Sequence, residues 1–411
     1  MKISPSKLTG RIEIVSSKSL SHRYLLAASL AEGISQIDNI LESDDLVATQ
    51  KALRSLGIKI NYNQVSGGKL RVINNIIDCN ESGTTLRFLV PIVMLTNEEV
   101  TFIGKGRLLS RPLSVYEELF NNQYYFKHLS NEKLVVKGKL KSGEYLIDGS
   151  VSSQFISGLL FALPLIDGDS KLILKNSLES KPYVNLTIEI LNKFGIKINE
   201  IDTGYEVKGN QVYQAGQFTV EGDYSQAAFW IVAATLNDQI TIDNLDPNSS
   251  QGDKEILEIL TKMGGKYKFN DQSLIVYQSE TKGITIDLAH IPDLGPILMI
   301  LASLSKGKTT FLNVNRLKIK ESDRLLAMKD ALIRLGVKIK LMENQAVITG
   351  QPELVGDVEL STYGDHRIAM ALAIAATRTK GYIKLDDASV INKSYPTFFK
   401  DYQKLGGKCD E

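Results

Sequence analysis

The sequence predicts an α/β protein built from six repeats of about 68 residues. One motif recurs along the chain as LRSLGIKI, LNKFGIKI, LTKMGGKY, LIRLGVKI and YQKLGGKC. Its shared glycines are Gly57, Gly195, Gly264, Gly336 and Gly406. The last three intervals between them are 69, 72 and 70 residues, and the first is 138, which is twice 69. One copy is therefore expected near residue 125, where ELFNNQYYFK is a degenerate version.

Each repeat is predicted to alternate short strands with two helices. The shared glycine follows an amphipathic stretch and precedes a β-like one, which is typical of a helix C-cap because glycine adopts the left-handed conformation at little cost. Strand candidates include KLVVKG, YLIDG and KLILKN. First helices are predicted to begin near Lys18, Gly83, Ser152, Asp223, Asp293 and Asp365. Second helices are predicted to begin near Asp44, Arg111, Lys181, Asp253, Glu321 and Lys393. On its own, such an array could be no more than a scaffold of stacked copies.

The composition indicates a soluble, globular, cytoplasmic protein. The 411 residues suggest two or three domains, and 43% of them are apolar, enough to form buried cores. The 48 Lys and Arg balance the 47 Asp and Glu, which argues against nucleic acid or a membrane surface as a partner. Cys79 and Cys409 are far apart in sequence, so a disulfide framework is not expected and a reducing compartment fits. The N-terminus has no apolar signal core, and no apolar run approaches the roughly 18 residues of a membrane span.

The predicted helix starts carry an unusual number of cations. Ser, Thr and Asp are expected there as caps, and capping is the better interpretation of any single one. Lys and Arg are electrostatically misplaced beside the positive end of a helix. Eight nevertheless lie in or near the first turns: Lys18, Arg23, Arg111, Lys181, Lys320, Arg324, Arg367 and Lys393. Their recurrence at equivalent phases of the repeat predicts a shared anionic ligand, such as one with phosphate and carboxylate groups.

Other functional motifs are poorly supported. The segment GKT at 307–309 lacks the glycine that a P-loop needs five residues earlier, because Ala302 stands there. The four histidines show no metal-ligand spacing, so no metal site is expected, and only His366 has a polar functional setting, inside GDHR. No GxSxG nucleophile elbow is present.

In their order and spacing, the helix-start motifs resemble those of the 5-enolpyruvylshikimate-3-phosphate synthase family. The matching segments are SKSLSHR, SGTTLRF, SRPL, SVSSQF, SKPY, EGDYSQA, IPD, KESDR, GDHRIAMA and NKSYP, and they span essentially the whole chain. The resemblance implies transfer of the enolpyruvyl group of phosphoenolpyruvate to shikimate 3-phosphate, on the route to chorismate and the aromatic amino acids. It implies no cofactor and no metal. We expect small-molecule substrates only, and a monomer.

The resemblance also implies a two-globule, inside-out α/β barrel fold, with six βαβαββ repeats in two pseudo-threefold halves. Residues 1–17 and 222–411 would form one half, because the N-terminal segment crosses back, and residues 18–221 would form the other. The active site would lie in the cleft between them.

Site residues follow from the resemblance, position by position. It assigns shikimate 3-phosphate to Lys18, Ser19, Arg23, Ser152, Ser153, Gln154, Ser180, Asp293 and Lys320. It assigns phosphoenolpyruvate to Lys18, Gly83, Arg111, Gln154, Arg324, Arg367 and Lys393. The catalytic candidates are Asp293, Glu321 and Lys18. Two positions depart from the pattern of some members: Arg316 replaces an Asn that contacts the shikimate phosphate, and Glu81 replaces an Asn before Gly83.

Two rival interpretations remain. The sister family transfers enolpyruvate to a UDP-amino sugar and usually carries a reactive Cys, or sometimes Asp, in a loop near the RP helix. The corresponding segment here, KGRLLSRP, has no Cys, and the SSQ and SKPY motifs favour the shikimate substrate. A non-catalytic binding protein on the same repeat would need a broken site, yet every major motif is intact.

Overall fold

The structure, a computed structural model, describes residues 1–120, 124–130 and 132–410. The chain folds into two compact units. The terminal unit comprises Met1–Ser17 and Glu221–Glu411, and the central unit comprises Lys18–Val220. The stretch ELFNNQYYFK, predicted to hold the degenerate copy of the glycine motif, includes residues 121–123, which lie outside the described residues.

The α-helices alternate with strands along the chain. They are α1 Lys18–Leu30, α2 Asp44–Ser55, α3 Gly83–Val93, α4 Ser114–Phe120, α5 Ser153–Ala162, α6 Lys181–Lys193, α7 Tyr224–Leu236, α8 Ile256–Met263, α9 Gly295–Ser303, α10 Arg324–Arg334, α11 His366–Ala376 and α12 Phe398–Lys404. Short 3₁₀ helices are formed by Leu108–Ser110, Leu163–Leu165, Gly252–Glu255, Pro292–Leu294, Val314–Ile319 and Ser389–Lys393.

The strands are short and fall into six four-stranded sheets. They are β1 Lys2–Ser4, β2 Gly10–Glu13, β3 Gly33–Asp38, β4 Lys59–Asn61, β5 Gln64–Gly67, β6 Ile76–Asp78, β7 Val100–Ile103, β8 Tyr125–Ser130, β9 Lys133–Lys137, β10 Glu144–Ile147, β11 Ser170–Leu174, β12 Ile198–Ile201, β13 Gly204–Val207, β14 Gln217–Thr219, β15 Ile240–Asp243, β16 Lys266–Asn270, β17 Ser273–Tyr277, β18 Thr285–Asp287, β19 Lys308–Leu312, β20 Lys338–Met342, β21 Gln345–Thr349, β22 Val358–Leu360, β23 Ile383–Leu385 and β24 Lys408–Asp410.

All six sheets share one strand order and the same relative strand directions. In the sheet of β18 to β21, β18 runs parallel to β19, and β19 pairs antiparallel with β21, which forms a hairpin with β20. The parallel pair requires a crossover, and helix α9 supplies it. Helix α10 joins β19 to β20, which completes a βαβαββ repeat. The prediction of six such repeats is confirmed.

Three sheets borrow a strand from a distant part of the chain. Strand β2 pairs with β15 in the terminal unit, and the chain then enters helix α1 of the central unit. Strand β14 in turn pairs with β3 in the central unit, just before the chain enters α7 of the terminal unit. Strand β1 completes the sheet of β22, β23 and β24. The two passages between the units therefore follow Ser17 and Val220.

The two helices of a repeat differ in burial. Every residue of α7, α9 and α11 is buried, and these three helices pack against one another in the terminal unit. The second helices, such as α6 and α10, bury one face only. The shared glycines do take the left-handed conformation, with φ values of 87°, 80°, 99°, 79° and 97° in chain order. Among the described residues, no helix combines the length and the apolar character that crossing a bilayer requires.

Four second helices, α4, α8, α10 and α12, begin at least three residues later than the sequence predicted, and a proline explains the delay in two of them. Helix α12 starts at Phe398 rather than near Lys393, which instead ends a 3₁₀ helix. Pro396 explains the delay, because a residue that precedes proline is disfavoured in the α conformation. Arg111 likewise precedes a proline and is extended, with ψ of 149°, so α4 starts only at Ser114.

Candidate active site

Arg324 gathers three carboxylates in the terminal unit. Its guanidinium donates from Nε to Asp365 at 2.7 Å, from Nη1 to Asp293 at 2.9 Å and from Nη2 to Glu321 at 2.6 Å. The side chain is only 1% exposed. The planar guanidinium holds its acceptors in fixed directions, so residues before α9, α10 and α11 meet at one buried cation.

Asp293 is shared by three cations. Arg324 contacts its Oδ1, and Lys320 Nζ lies 3.2 Å from the same oxygen. Arg367 Nη2 lies 3.2 Å from Oδ2, and its Nη1 donates to the Asp293 main-chain carbonyl at 3.2 Å. The Asp293 side chain is still 22% exposed. It is therefore both firmly held and accessible to a small molecule.

The charges in this cluster shift several pKa values. Burial alone would raise the pKa of Asp293, but its three cations hold it well below the usual range. Burial would also raise the pKa of Asp365, and Arg324 lowers it. Burial lowers the pKa of Lys320, which Asp293 partly counteracts. Both aspartates are therefore ionised at neutral pH, while the ammonium group of Lys320 is destabilised by its burial.

The segment KESDR has its geometry set by a helix cap. Asp323 accepts a hydrogen bond from Leu326 N at 3.0 Å and caps α10. Helix α10 therefore begins at Arg324, and it is preceded by Glu321 and by Lys320, which is extended. Asp323 is therefore the cap, and the neighbouring Ser322 instead donates its hydroxyl hydrogen to Asp365.

The start of α11 is tied to this segment. Asp365 caps α11 by accepting from Arg367 N at 2.9 Å, and it also accepts from Ser322 Oγ at 3.0 Å. Lys393 Nζ donates to the carbonyl of Gly364 at 2.7 Å, which places this ammonium group beside the same helix start.

In the central unit, Arg23 is held by neutral oxygens. Nε donates to Thr187 Oγ1, Nη1 to the Ser19 carbonyl and Nη2 to the Tyr183 carbonyl, each at 2.8 Å. Within the described part of the chain, no carboxylate forms an ion pair with it. Burial lowers the pKa of Arg23 to about 10, with Tyr183 opposing the shift. Such a cation keeps a strong attraction for an incoming anion.

Lys18 opens α1 beside a carboxylate. Its Nζ lies 3.0 Å from Asp45 Oδ2, and both side chains are largely buried. One turn later, His22 Nδ1 is 2.8 Å from Thr49 Oγ1, which is 2.6 Å from Thr85 Oγ1. Burial, followed by two neighbouring cations, lowers the pKa of His22 well below its usual value. His22 is therefore a neutral link that connects α1 with α2 and α3.

Gly83 begins α3 against two guanidinium groups. A Cβ at this position would lie 2.8 Å from Arg111 Nη1 and 3.0 Å from Arg87 Nη1, so only glycine permits both approaches. Arg87 Nη1 donates to Gln154 Oε1 at 2.7 Å, and Gln154 Nε2 donates to Thr84 Oγ1 at 2.9 Å. Arg111 Nε is buried and has no hydrogen-bond partner among the described residues. Two helix starts thus meet around a pair of arginines.

The serines near these helices differ in conformation. Ser152 caps α5 by accepting from Gln154 N at 3.3 Å, and Ser153 is the first residue of that helix. Ser180 precedes α6 in the left-handed conformation, with φ of 55°. A non-glycine residue in this conformation is strained, and such residues concentrate at functional sites.

Lys181 does not join the other cations. Its Nζ lies 2.6 Å from Glu200 Oε1, and both side chains are about half exposed. Arg316, by contrast, is buried close enough to Lys320 to lower the pKa of that ammonium group. Of the two departures from the family pattern, Arg316 is thus part of the electrostatic environment of the site.

The predicted site residues divide into two sets, one in each unit. The set in the terminal unit is Asp293, Lys320, Glu321, Arg324, Arg367 and Lys393. The set in the central unit is Lys18, Ser19, Arg23, Gly83, Arg111, Ser152, Ser153, Gln154 and Ser180. Both sets consist mainly of N–H and hydroxyl donors, which suit anions. Within 1–120, 124–130 and 132–410, no group of three or more His, Cys, Asp or Glu side chains is placed to hold a metal ion.

Sequence reasoning missed three residues that hold the predicted ones. Arg87, within SGTTLR, is a buried cation in an otherwise apolar helix, and that contrast could have identified it. Asp365, within GDHR, was interpreted only as a helix start. Asp45 follows Asp44 at the start of α2, where acidic residues are expected for the helix dipole alone, so no signal singled it out.

Comparisons with known proteins agree across the whole chain. A family model described as EPSP synthase (3-phosphoshikimate 1-carboxyvinyltransferase) matches residues 3–402. A 3-phosphoshikimate 1-carboxyvinyltransferase from Clostridium novyi is 46% identical, covering 100% of this chain and 98% of its own. One from Clostridium perfringens is 45% identical, covering 98% of each. The solved EPSP synthase from Acinetobacter baumannii has a TM-score of 0.81 at 22% identity and covers 100% of this chain and 99% of its own, which shows the fold.

Proposed function

Because this chain belongs to the EPSP synthase family, we propose that it transfers the enolpyruvyl group of phosphoenolpyruvate to the 5-hydroxyl of shikimate 3-phosphate. The products are 5-enolpyruvylshikimate 3-phosphate and inorganic phosphate, on the route to chorismate and the aromatic amino acids. The observation in the site that best supports this reaction is the bonding of Asp293 and Glu321 to Arg324. That arrangement sets two proton-transfer groups among cations suited to anionic substrates.

Shikimate 3-phosphate is the ligand we assign to the buried donors of the central unit. Arg23 has no carboxylate partner in the described chain and would supply a guanidinium to the phosphate. Ser152 and Ser153 offer hydroxyl and N–H groups at the positive end of α5. The full proposed set is Lys18, Ser19, Arg23, Ser152, Ser153, Gln154, Ser180, Asp293 and Lys320.

Phosphoenolpyruvate would bind to arginine side chains, including Arg111 beside Gly83. Arg111 has a buried Nε without a hydrogen-bond partner in the described chain, and Gly83 leaves room beside its Nη1. Arg324 is fully buried and already bonded to three carboxylates, so it can reach the substrate only after one of them releases it. The full proposed set is Lys18, Gly83, Arg111, Gln154, Arg324, Arg367 and Lys393.

The reaction we propose begins with an addition. The 5-hydroxyl oxygen attacks C2 of phosphoenolpyruvate, its proton passes to Asp293, and C3 receives a proton from Glu321. Asp293 is a weak base while three cations hold its pKa low. Anionic substrates that compete for those cations would raise this pKa and so strengthen the base. Lys18 would polarise the hydroxyl oxygen and the oxygen that bridges C2 to phosphorus.

An elimination completes the transfer. The bond from C2 to the phosphate oxygen breaks, and the leaving phosphate takes the proton that Asp293 received in the addition. Glu321 takes a proton from C3, which restores its acid form, and the C2–C3 double bond forms again. Positive charge develops at C2 in both steps, and the carboxylates of Asp293 and Glu321 would stabilise it. Arg324 keeps Glu321 within 2.6 Å and thereby orients it for the two proton transfers.

The direct test measures phosphate release with different acceptors. We expect release from phosphoenolpyruvate with shikimate 3-phosphate and none with a UDP-amino sugar. Release with the UDP-sugar alone would indicate the sister activity, and no release with either would indicate a binding protein.

A variant tests the role of Glu321. Glu321→Gln should lower kcat by about 10²- to 10⁴-fold, the usual contribution of general acid–base catalysis, with little change in shikimate 3-phosphate affinity. Glu258→Gln is the matched control, because Glu258 makes an exposed pair with Lys262. Near-normal turnover by Glu321→Gln would refute the assignment.

We also propose a monomer that works in the cytoplasm. Cys79 and Cys409 are both free thiols, which fits a reducing compartment. Light scattering coupled to size-exclusion chromatography should give a single species of about 45.5 kDa.

A further inference from the structure

Tyr395, in the NKSYP motif, is a buried tyrosine to which the proposed reaction gives no role. Its side chain is 0% exposed, and it lies two residues after Lys393, a proposed contact of phosphoenolpyruvate. The phenol oxygen lies 3.0 Å from Trp230 Nε1 and 2.9 Å from Asp401 Oδ2. Helix α7 supplies Trp230 and helix α12 supplies Asp401. One hydroxyl group thus joins two helices of the terminal unit.

The three side chains form a chain of hydrogen bonds with a fixed direction. An indole N–H can only donate, and a carboxylate can only accept. Trp230 therefore donates to the Tyr395 oxygen, and Tyr395 donates its hydroxyl hydrogen to Asp401. Thr397 Oγ1 also donates to Asp401 Oδ2, at 3.1 Å. A hydrogen bond to a carboxylate is stronger than one between neutral groups, so the phenol is held firmly from both sides.

Aromatic packing fixes the Tyr395 ring as well. The ring meets Trp230 at 85° with centroids 6.2 Å apart, and it meets Phe398 at 77° with centroids 5.6 Å apart. Both contacts have the edge-to-face geometry that aromatic pairs favour. Trp230 in turn stacks on Phe398 at 4.8 Å. All three side chains are 0% exposed, so the Tyr395 ring has one well-defined position in the core of the terminal unit.

The main chain between Tyr395 and Lys393 is short and tightly turned. Lys393 ends a 3₁₀ helix, and Tyr395 N donates back to the Ile391 carbonyl at 2.7 Å. Two residues span at most about 7 Å even when extended, and Pro396 restricts the chain on the other side of Tyr395. Anchoring Tyr395 therefore confines the main chain of Lys393, whose Nζ reaches the Gly364 carbonyl at the start of α11.

We propose that Tyr395 is a positioning residue that holds Lys393 beside the start of α11 and so sets the affinity for phosphoenolpyruvate. This rests on the proposed contact of Lys393 with that substrate. A lysine has a long, flexible side chain, so its ammonium group is placed accurately only where its main chain is fixed. The hydrogen bonds of Tyr395 with Trp230 and Asp401 provide the fixed point. Lys393 then loses less conformational freedom when the substrate binds, which favours binding.

Tyr395→Phe provides the first test, because it keeps the packed ring and removes the hydroxyl group. In steady-state assays of phosphate release at saturating shikimate 3-phosphate, KM for phosphoenolpyruvate should rise about 2- to 10-fold, the equivalent of one neutral hydrogen bond. The affinity for shikimate 3-phosphate, measured by calorimetry, should not change.

Tyr213→Phe is the matched control. Tyr213 is also buried, and its hydroxyl donates to the Phe161 carbonyl at 2.7 Å in the central unit. This variant should leave KM for phosphoenolpyruvate unchanged. An unchanged KM in Tyr395→Phe, or an equal rise in Tyr213→Phe, would overturn the proposal.

A double-mutant cycle with Lys393→Met separates positioning from a general loss of stability. Lys393→Met removes the ammonium group and keeps most of the side-chain length. In this background Tyr395→Phe should no longer change KM for phosphoenolpyruvate, because it acts through Lys393. If Tyr395→Phe raises KM by the same factor with and without Lys393, its role is structural and the proposal fails.

Trp230 is the only tryptophan of the chain, so its fluorescence reports on the contact with Tyr395. A hydrogen bond from the indole N–H stabilises the polar excited state of the ring. Tyr395→Phe should therefore shift the emission to shorter wavelength, and Tyr213→Phe should leave it in place. Identical emission from wild type and folded Tyr395→Phe would show that the hydrogen bond is not formed and would refute the proposal.

Asp401→Asn is a second variant, and it leaves Tyr395 in place. Its amide oxygen still accepts from Tyr395, but the bond loses its charge assistance, so KM for phosphoenolpyruvate should rise by less than in Tyr395→Phe. No rise would count against the proposal even if Tyr395→Phe fails to fold. If wild type releases no phosphate with shikimate 3-phosphate, the proposed function fails. Normal release with KM unaltered in both variants removes only the role of Tyr395.

Discussion

The central and terminal units bury an arginine at a helix start in opposite ways. Arg23 in the central unit donates only to neutral oxygens, and its pKa falls to about 10 because of burial. Arg324 in the terminal unit is equally buried, but carboxylates surround it and raise its pKa. The first arrangement retains attraction for an anion that is still to arrive. The second is neutralised internally, and its carboxylates can carry out proton transfer.

The difference teaches that a cation at a helix start does not by itself define an anion site. The charged groups around the cation decide whether it can bind a ligand or instead stabilises the local fold. In the terminal unit, Arg324 and Asp365 hold the starts of α10 and α11 together, so the local fold and the chemistry depend on the same contact. In the central unit, Arg23 can contribute to binding with less effect on the fold.

The largest expected effect comes from removing the buried cation of the terminal unit. Arg324→Met leaves Asp365 and Asp293 without their shared partner, and breaking a buried pair in this way costs about 3–5 kcal/mol. Chemical denaturation should show this loss, and kcat should fall with it. Arg324→Lys is the control that keeps the charge but not the fork of donors. A loss below about 1 kcal/mol for Arg324→Met would contradict the comparison.

For Arg23 we expect a small effect on stability and a large effect on the binding of shikimate 3-phosphate. Arg23→Met removes a buried cation together with its desolvation cost, so the free energy of unfolding should fall by less than in Arg324→Met. Affinity for shikimate 3-phosphate should drop by about 10- to 150-fold, which corresponds to one charge-assisted hydrogen bond of about 1.5–3 kcal/mol. Calorimetry measures the affinity, and Arg23→Lys should recover part of it. If the stability loss equals that of Arg324→Met and binding is unchanged, the two units do not differ as described.

Sequence reasoning predicted the repeat because its glycines and helix starts are local features. The left-handed glycines and the two helices of each repeat required no knowledge of distant contacts, whereas the βαβαββ order was implied by the family resemblance. The pairing of β2 with β15 and of β14 with β3, each distant in sequence, could not be read from hydrophobic periodicity, since a strand has the same pattern whichever sheet it joins. The resemblance to the family anticipated only that the N-terminal segment crosses back.

In the site, too, contacts between residues that are distant in sequence could not be predicted from local patterns. The cations were identified because Lys and Arg are unexpected at the positive ends of helices. Two of their partners, Asp45 and Asp365, were not identified, because acidic residues are ordinary at helix starts. Only tertiary contacts show that Asp365 lies 2.7 Å from Arg324 and that Arg23 lies among carbonyl groups.

A smaller effect, on KM for phosphoenolpyruvate, is expected at Gly83, which lies against the guanidinium groups of Arg87 and Arg111. In Gly83→Ala, the new methyl group would lie 2.8 Å from Arg111 Nη1 and 3.0 Å from Arg87 Nη1. The guanidinium groups can move by a few tenths of an ångström, so KM for phosphoenolpyruvate should rise roughly tenfold while the protein stays folded. A double-mutant cycle with Arg111→Lys should be non-additive, because the two changes act on one contact. If the effects of the two substitutions on KM simply add, the new methyl group does not act by displacing Arg111.

The smallest effect is expected at Lys181, which shares its phase in the repeat with Lys393 and Arg111. Its ammonium group pairs with Glu200 at a half-exposed surface position, and such pairs contribute less than about 1 kcal/mol. Lys181→Ala should therefore leave KM for both substrates within about twofold of wild type, in contrast to Arg23→Met. A tenfold rise in either KM would show that Lys181 leaves Glu200 when substrate binds. In that case a position at a helix start would predict function better than the contacts of the substrate-free protein do.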